Sequence, residues 1–380
     1  MTFRTLLPLF AIFLILGSGI AHAAGLYQMF RQNFPQIERL PVEQLMEMTE
    51  FKFEEAPFDD IYAGYRIFIP KGWLQAGEQQ IRNTVRDDRV RGEVARFYSN
   101  PIIDERGTLT IRTYDLRFNT NAESWLIDYL IDFGYSVEGI ETHGENHAQA
   151  VAVLLDEEGD DLKDWIVARI NGTRVFLMTF SVPLRLFNGN QNLIASIAHT
   201  FDLLEEDPQE DFGTLEFILD EFIVLNYSKD WSLIRSRTGR LDFSQIKLLN
   251  LGSQEKRYDG IITFNLFQNE ARQTSLVQDL DRTKKEVAEL GFEFINKFEP
   301  GFELDYPVGQ TLTIFETHQV RNIQSDNERF EAWISVIKND DHTYIVHMLT
   351  PNQTQDFAKW VENKSNFETV IASIRPFYYQ

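Results

Sequence analysis

Apolar residues fall at every second position in Tyr65-Arg66-Ile67-Phe68-Ile69-Pro70 and again across residues 108–116. That alternation predicts strands with one buried face, and residues 93–98 read as a third. The period then lengthens. Leu126, Tyr129, Leu130 and Phe133 fall on one helical face. Thr120-x-x-Glu123 offers a capping box at the start of this helix, and Gly134 a left-handed stop at its end. Strands return over residues 137–141, 148–155, 165–170 and 175–181, and a short helix carrying Leu193, Ile194, Ile197 and Phe201 follows.

The same order recurs further along the chain. The segment from Trp165 to Pro183 has a second version from Trp333 to Pro351, and each of these landmarks is displaced by 168 residues. Residues 221–227 and 260–267 predict strands. Ser275-x-x-Gln278 predicts a capped helix stopped by Gly291, and strands are expected again at 311–315 and around Trp333 and Tyr344. A helix near Phe357, Trp360 and Val361 leads to a last one, for which Ser365-x-x-Glu368 is the expected cap. The acidic, proline-punctuated run 205–213 reads as the boundary between the two copies. The expected plan is therefore a 1–23 signal peptide, a 24–55 N-terminal helical segment starting a short helix near Pro41, a first domain at 56–204 and a second at 214–380.

A strand, a turn ending in Gly-Trp, two strands, a capped helix, several antiparallel strands and a closing helix together resemble the PsbP-like superfamily. That group includes the extrinsic photosystem subunit, a Ran-binding nuclear import factor and DcrB-like periplasmic proteins. The resemblance is carried by Pro70-Lys71-Gly72-Trp73 in the first copy, Ser228-Lys229-Asp230-Trp231 in the second, and the two closing units. It implies an α+β fold of two tandem α/β/α sandwich domains, each a mostly antiparallel sheet flanked by helices. It also implies binding or assembly in place of catalysis, and supplies no active-site residue to carry over.

Residues 1–23 combine Arg4, an apolar core from Leu6 to Leu16, a Gly-Ser-Gly break and Ala21-His22-Ala23. This predicts a cleaved export signal, with cleavage after Ala23 and a periplasmic or secreted mature chain without a transmembrane segment. The chain has no cysteine, which removes thiol catalysis, thiolate zinc sites and iron–sulfur clusters. Its formal charge is −22, and removing residues 1–23 takes away only Arg4, leaving −23. Such a chain opposes nucleic acid and anionic lipid, because phosphate contacts need Lys and Arg.

Glu141, His143, Glu145 and His147 alternate and would share one face of a strand, a donor set suited to a divalent metal such as zinc. The same residues also suit a solvated hairpin tip. The carboxylates of 156–161 lack the ligand spacing of a calcium loop. His347, in an apolar strand, reads as a sheet histidine with its hydrogen bonds met, and the tryptophans read as core anchors. Glu-Thr-His at 141–143 and at 316–318 does not align between the copies and reads as coincidence. No nucleophile elbow, metalloprotease helix, phosphate loop or dinucleotide fingerprint occurs, so neither a catalytic residue nor a cofactor is expected. The function expected from sequence is that of a non-catalytic exported binding or assembly protein whose partner is another envelope protein. Its alternatives are a metal-dependent enzyme or metal carrier using Glu141 to His147, or a carrier of an apolar ligand.

Overall fold

The computed structural model describes residues 30–31, 34–77, 90–99, 107–155, 161–208, 212–236, 243–252, 258–300, 302–325 and 328–377. The expected signal peptide and most of the carboxylate run at 156–161 lie outside these residues.

A short helix α1 (Val42–Met48) precedes the first half of the fold, which contains β1 (Thr49–Glu54), β2 (Tyr65–Pro70), β3 (Leu74–Gln75), β4 (Val90–Tyr98) and β5 (Thr108–Asp115). Helix α2 (Ala122–Asp132) leads to β6 (Ser136–Thr142), β7 (His147–Leu154), β8 (Leu162–Asn171) and β9 (Arg174–Pro183). Helix α3 (Leu184–Thr200) and β10 (Asp202–Leu203) complete it. The second half has β11 (Thr214–Leu219), β12 (Ile223–Ser228), β13 (Ser232–Ser236), β14 (Phe243–Leu251) and β15 (Tyr258–Gln268). After α4 (Leu276–Glu289) come β16 (Phe292–Phe298), β17 (Thr311–Asn322), β18 (Arg329–Lys338) and β19 (His342–Pro351), then α5 (Phe357–Ala372) and β20 (Arg375–Pro376).

Each half forms a seven-stranded antiparallel sheet and a three-stranded one. The large sheets run β3-β4-β5-β9-β8-β7-β6 and β13-β14-β15-β19-β18-β17-β16, and the small ones β1-β2-β10 and β11-β12-β20. Every strand of the first half thus has its counterpart ten strands later, in the same place. The protein is an α+β fold of two tandem sandwich units, as the repeated closing segments imply. Strand β1, ahead of residue 56, pairs along the whole of β2, so residues 49–54 are strand within the segment expected to be helical. Glu-Thr-His lies at the end of β6 and into its turn in one half and within β17 in the other, strands that are not counterparts.

Several local expectations need correction. Asn121, not Thr120, caps α2 by accepting from the Ser124 N–H at 2.8 Å, and Glu123 instead pairs with Arg31. The closing helix α3 begins directly after Pro183, nine residues before Leu193. Ser365 caps nothing: α5 is one continuous helix started by Asp356, which accepts from the Lys359 N–H at 3.0 Å. The Ser275–Gln278 capping box is present, and Gly134 and Gly291 have the left-handed φ values of 71° and 93° that stop α2 and α4.

In each half the closing helix covers the sheet face carrying the repeated tryptophan. Trp165 packs beneath α3 with Val167, Phe176 and Ile197. Trp333 packs beneath α5 with Trp360 and Phe367. The opposite face of the first sheet, lined by Ala148, Ala150, Ala152 and Ala168, takes α2. That α2 cluster is continuous with the α5 cluster of the second half, and α2 and α5 touch. The halves therefore join head to tail, each contributing a different helix.

Candidate functional site

The junction of α2 and α5 leaves a cleft on its polar side. Its inner cavity, about 390 Å³, is walled from the first half by Phe118 and Asn119, which lead from β5 into α2. Phe212 comes from the segment between the halves, and the second half supplies Trp231 in the turn after β12 and the α5 residues Ser365, Asn366 and Thr369. Asn119, Ser365 and Thr369 also line an adjoining outer cavity of about 450 Å³, so the two spaces share a wall.

Local structure explains the placement. Ser365 and Thr369 stand one turn apart on α5, where the Thr369 hydroxyl donates to the Ser365 carbonyl at 2.9 Å. Asn366 Oδ1 accepts the Ser228 N–H at 2.7 Å, which fixes its amide orientation and leaves Nδ2 as the other end. Nδ2 of Asn366 and Nε1 of Trp231 are both buried without a hydrogen-bond partner, and each residue is only 3% exposed.

The outer cavity takes its first-half wall from the tip of the β6–β7 hairpin. The Glu145 carbonyl accepts the Ala122 N–H at 2.7 Å, and the Asn146 carbonyl accepts that of Ile170 at 2.9 Å. These two bonds seat the tip against the start of α2, with Glu145 and Asn146 lining the cavity. The connection from β16 to β17, the counterpart of that tip, supplies Phe302, Glu303 and Asp305 opposite. The Lys364 ammonium sits 4.6 Å from the Phe302 ring centre and pairs with Glu368, four residues on along α5, at 2.6 Å.

The alternating set Glu141, His143, Glu145 and His147 is divided by this hairpin. The strand ends at Thr142, Gly144 has φ 86°, and the His143 N–H donates to the His147 carbonyl at 2.8 Å to close the turn. Glu141 and His143 stay together, with Oε2 and Nε2 3.2 Å apart, and the His143 and His147 rings lie 4.8 Å apart. Glu145 goes instead to the cleft. The Gln149 amide already donates to Glu141 Oε2 at 2.5 Å and lies 3.1 Å from His143 Nε2. Burial, with Arg169, His143 and His199 nearby, lowers the His147 pKa to about 3 against the pull of Asp202. Among the described residues no group of three or more His, Asp or Glu is arranged to hold a metal ion.

His347 is 4% exposed, and burial lowers its pKa to about 3. Its Nδ1 has no partner, so the expectation of a fully bonded sheet histidine is corrected. The core reading of the tryptophans fits Trp165 and Trp333, whereas Trp231 belongs to both the core cluster and the cleft wall. Sequence reasoning missed Ser365 and Asn366. Their signal was available: three polar residues of modest helix propensity, Ser365, Asn366 and Thr369, recur along a helix with no cap to serve.

Among the described residues no helix is long and apolar enough to cross a membrane. No family model matches the chain, and no curated protein matches it. Among solved structures it is similar to the cyanobacterial PsbP (CyanoP) of Synechocystis, with 12% identity and a TM-score of 0.30 over 40% of this chain and 92% of that one. It is also similar to a protein from Bacteroides thetaiotaomicron, with 11% identity and a TM-score of 0.25 over 43% of this chain and 48% of that one.

Proposed function

We propose that the chain is an exported, non-catalytic binding or assembly module that holds another component of the cell envelope between its two halves. The observation carrying this reading is the cleft at the α2–α5 junction, whose walls come from both units. Duplicated domains with unlike surfaces at their junction create a concave site that neither copy has alone, and junctions of this kind are favoured places for ligands. The expected Ala23 cleavage and export supply the compartment.

The test places a photo-crosslinking residue at Ser365, inside the cleft, and separately at Val277, an exposed position on α4. Crosslinking in intact cells is expected to give a discrete adduct from Ser365 and none from Val277. The Ser365 adduct should also disappear when Thr369→Trp fills the cleft. Equal labelling from both positions, or an adduct indifferent to filling, overturns the reading. N-terminal sequencing of the same preparations should return Ala24 as the first residue.

A further inference from the structure

We infer that β1 is a self-association edge, through which two copies of this chain pair across a two-fold axis at Phe51 or Phe53. The strand Thr49–Glu54 is an outer member of the sheet β1-β2-β10 and pairs along one side only, with β2. Its ladder shows which backbone groups are already bonded. The Met48 carbonyl accepts the Lys71 N–H at 3.0 Å, so residue 48 and every second residue after it bond toward β2. Phe68, opposite Phe51, turns its N–H the other way, to the Thr200 hydroxyl at 3.0 Å. The N–H and C=O groups of Phe51 and Phe53 are therefore directed away from β2, at the open edge. Among the described residues no strand pairs with them there.

The strand is also inverted within its sheet. Tyr65, Ile67 and Ile69 of β2 are buried, and the β1 residues opposite them are Glu54, Lys52 and Glu50. The phenylalanines take the other face and are 52% and 58% exposed, with the Phe51 ring centre 5.9 Å from that of Phe53 and 5.3 Å from that of Phe68. Rings turned outward gain little within their own chain, since apolar surface stabilises by leaving water. The occupant is set by the charges. Glu50-Phe51-Lys52-Phe53-Glu54 reads the same in both directions, and antiparallel pairing reverses one copy against the other. Centring on Phe51 sets Glu50 of each copy opposite Lys52 of the other, and centring on Phe53 does the same for Lys52 and Glu54. Centring on Lys52 instead opposes Lys52 to itself and Glu50 to Glu54. Opposite charges on facing strands stabilise and like charges destabilise, so the phenylalanine-centred registers are selected. Glu50 and Lys52 lie 3.4 Å apart on one face with side chains 40% and 36% exposed, within reach of a second copy. The counterpart strand β11 carries Glu216 as its one charge, paired with Arg375, and has no such self-match. A single self-complementary edge per copy closes at a dimer. None of these residues lines the α2–α5 cleft, so the inference stands apart from the binding reading.

The test is sedimentation equilibrium of the full mature chain, which is expected to show a reversible monomer–dimer equilibrium. Lys52→Glu makes the edge uniformly acidic, and Glu50→Lys with Glu54→Lys makes it uniformly basic. Each is expected to weaken self-association by about tenfold or more, because two matched pairs become two opposed ones. An equimolar mixture of the two variants should recover a heterodimer at least as tight as the parent dimer. Phe51→Pro removes an N–H that points off the sheet, so the β1–β2 ladder is kept while the edge is blocked, and this variant should be monomeric. If Phe51→Pro melts early, the charge exchange decides, since recovery on mixing cannot arise from unfolding. A parent chain that stays monomeric up to about 1 mM, the range of weak contacts, leaves the edge to a different partner and overturns the inference. A dimer that survives both charge variants overturns it as well, and so do charge variants that stay apart when mixed.

Discussion

Trp165 and Trp333 occupy corresponding places, each beneath the closing helix of its unit, yet their indoles are satisfied by different chemistry. Trp165 Nε1 donates to the neutral amide oxygen of Gln149 at 3.0 Å, from the neighbouring strand β7. Trp333 Nε1 donates to the carboxylate of Glu331 at 2.9 Å, and the same Oε2 accepts Trp360 Nε1 at 2.9 Å. The first arrangement buries an amide; the second buries a carboxylate, 6% exposed, with two indole donors and a backbone N–H from Gln353 but no cation. Burial raises the Glu331 pKa above the ordinary carboxylate value, and the three hydrogen bonds oppose the rise. Duplication has kept the packing shape and let the polar partner change, because shape fixes how helix and sheet interlock while several acceptors can answer one indole.

The largest expected effect comes from removing the anchors. Trp333→Ala and Trp165→Ala should each cost about 3–5 kcal/mol in denaturant unfolding. Trp333 is expected at the top of that range, since its loss also strips a donor from a buried carboxylate. A larger loss at Trp165 would break the comparison.

Acid should come next. His347 and His147, one in each half, both have pKa values lowered to about 3 from 6.5, with burial the leading cause. The unfolded chain binds these protons first, so stability is full above pH 6.5 and falls as pH drops from there toward 3. His347→Gln should flatten the acid limb more than His147→Gln, because His147 is only partly buried. Thermal melts between pH 7 and pH 4 decide this.

Glu331 has the opposite sign. A carboxylate with a raised folded pKa contributes stability below its unfolded value that is lost as pH rises through the folded one. Glu331→Gln, which imports the partner used in the first half, should remove that decline. An unchanged slope between pH 4 and pH 8 would show that the hydrogen bonds, not burial, dominate Glu331.

Gly107 and Gly260 sharpen the comparison at the start of the corresponding strands β5 and β15. A Cβ on Gly260 would meet the Asn363 side chain at 2.5 Å, and Asn363 is fully buried and bonded to Asn250, Asp259 and Thr350. A Cβ on Gly107 would meet the edge of Trp73 at 3.0 Å. Gly260→Ala is expected to cost about 1–3 kcal/mol by overpacking, and Gly107→Ala less. The smallest effects belong to the helix caps: Ser275→Ala and Asn121→Ala should each lower stability by about 1 kcal/mol.

Much of the fold was legible. Strand β2 is where its alternation placed it, and Ser275, Gly134 and Gly291 act as their types predict, because these signals depend on neighbours a few residues away. Strand β1 was not legible: Phe51 and Phe53 are more than half exposed, so the segment lacks the buried alternation that marks a strand. Ser365-x-x-Glu368 matched a capping box, but the apolar face of Phe357, Trp360, Val361 and Phe367 continues through it and buries one unbroken helix. Glu141 to His147 looked like one face because alternation assumes a strand that continues, and here it turns at Gly144.

By itself the sequence determined the duplication, the class of the fold and the anchors of each unit, since periodicity and spacing record which residues must be buried within a unit. Only the tertiary structure decided that the units join through α2 and α5. That junction brings Asn119, Glu145, Trp231, Glu303 and Asn366 into one cleft from segments far apart in the chain. None of these residues carries a local signal of its partners, because a site between two units is set by how their faces meet.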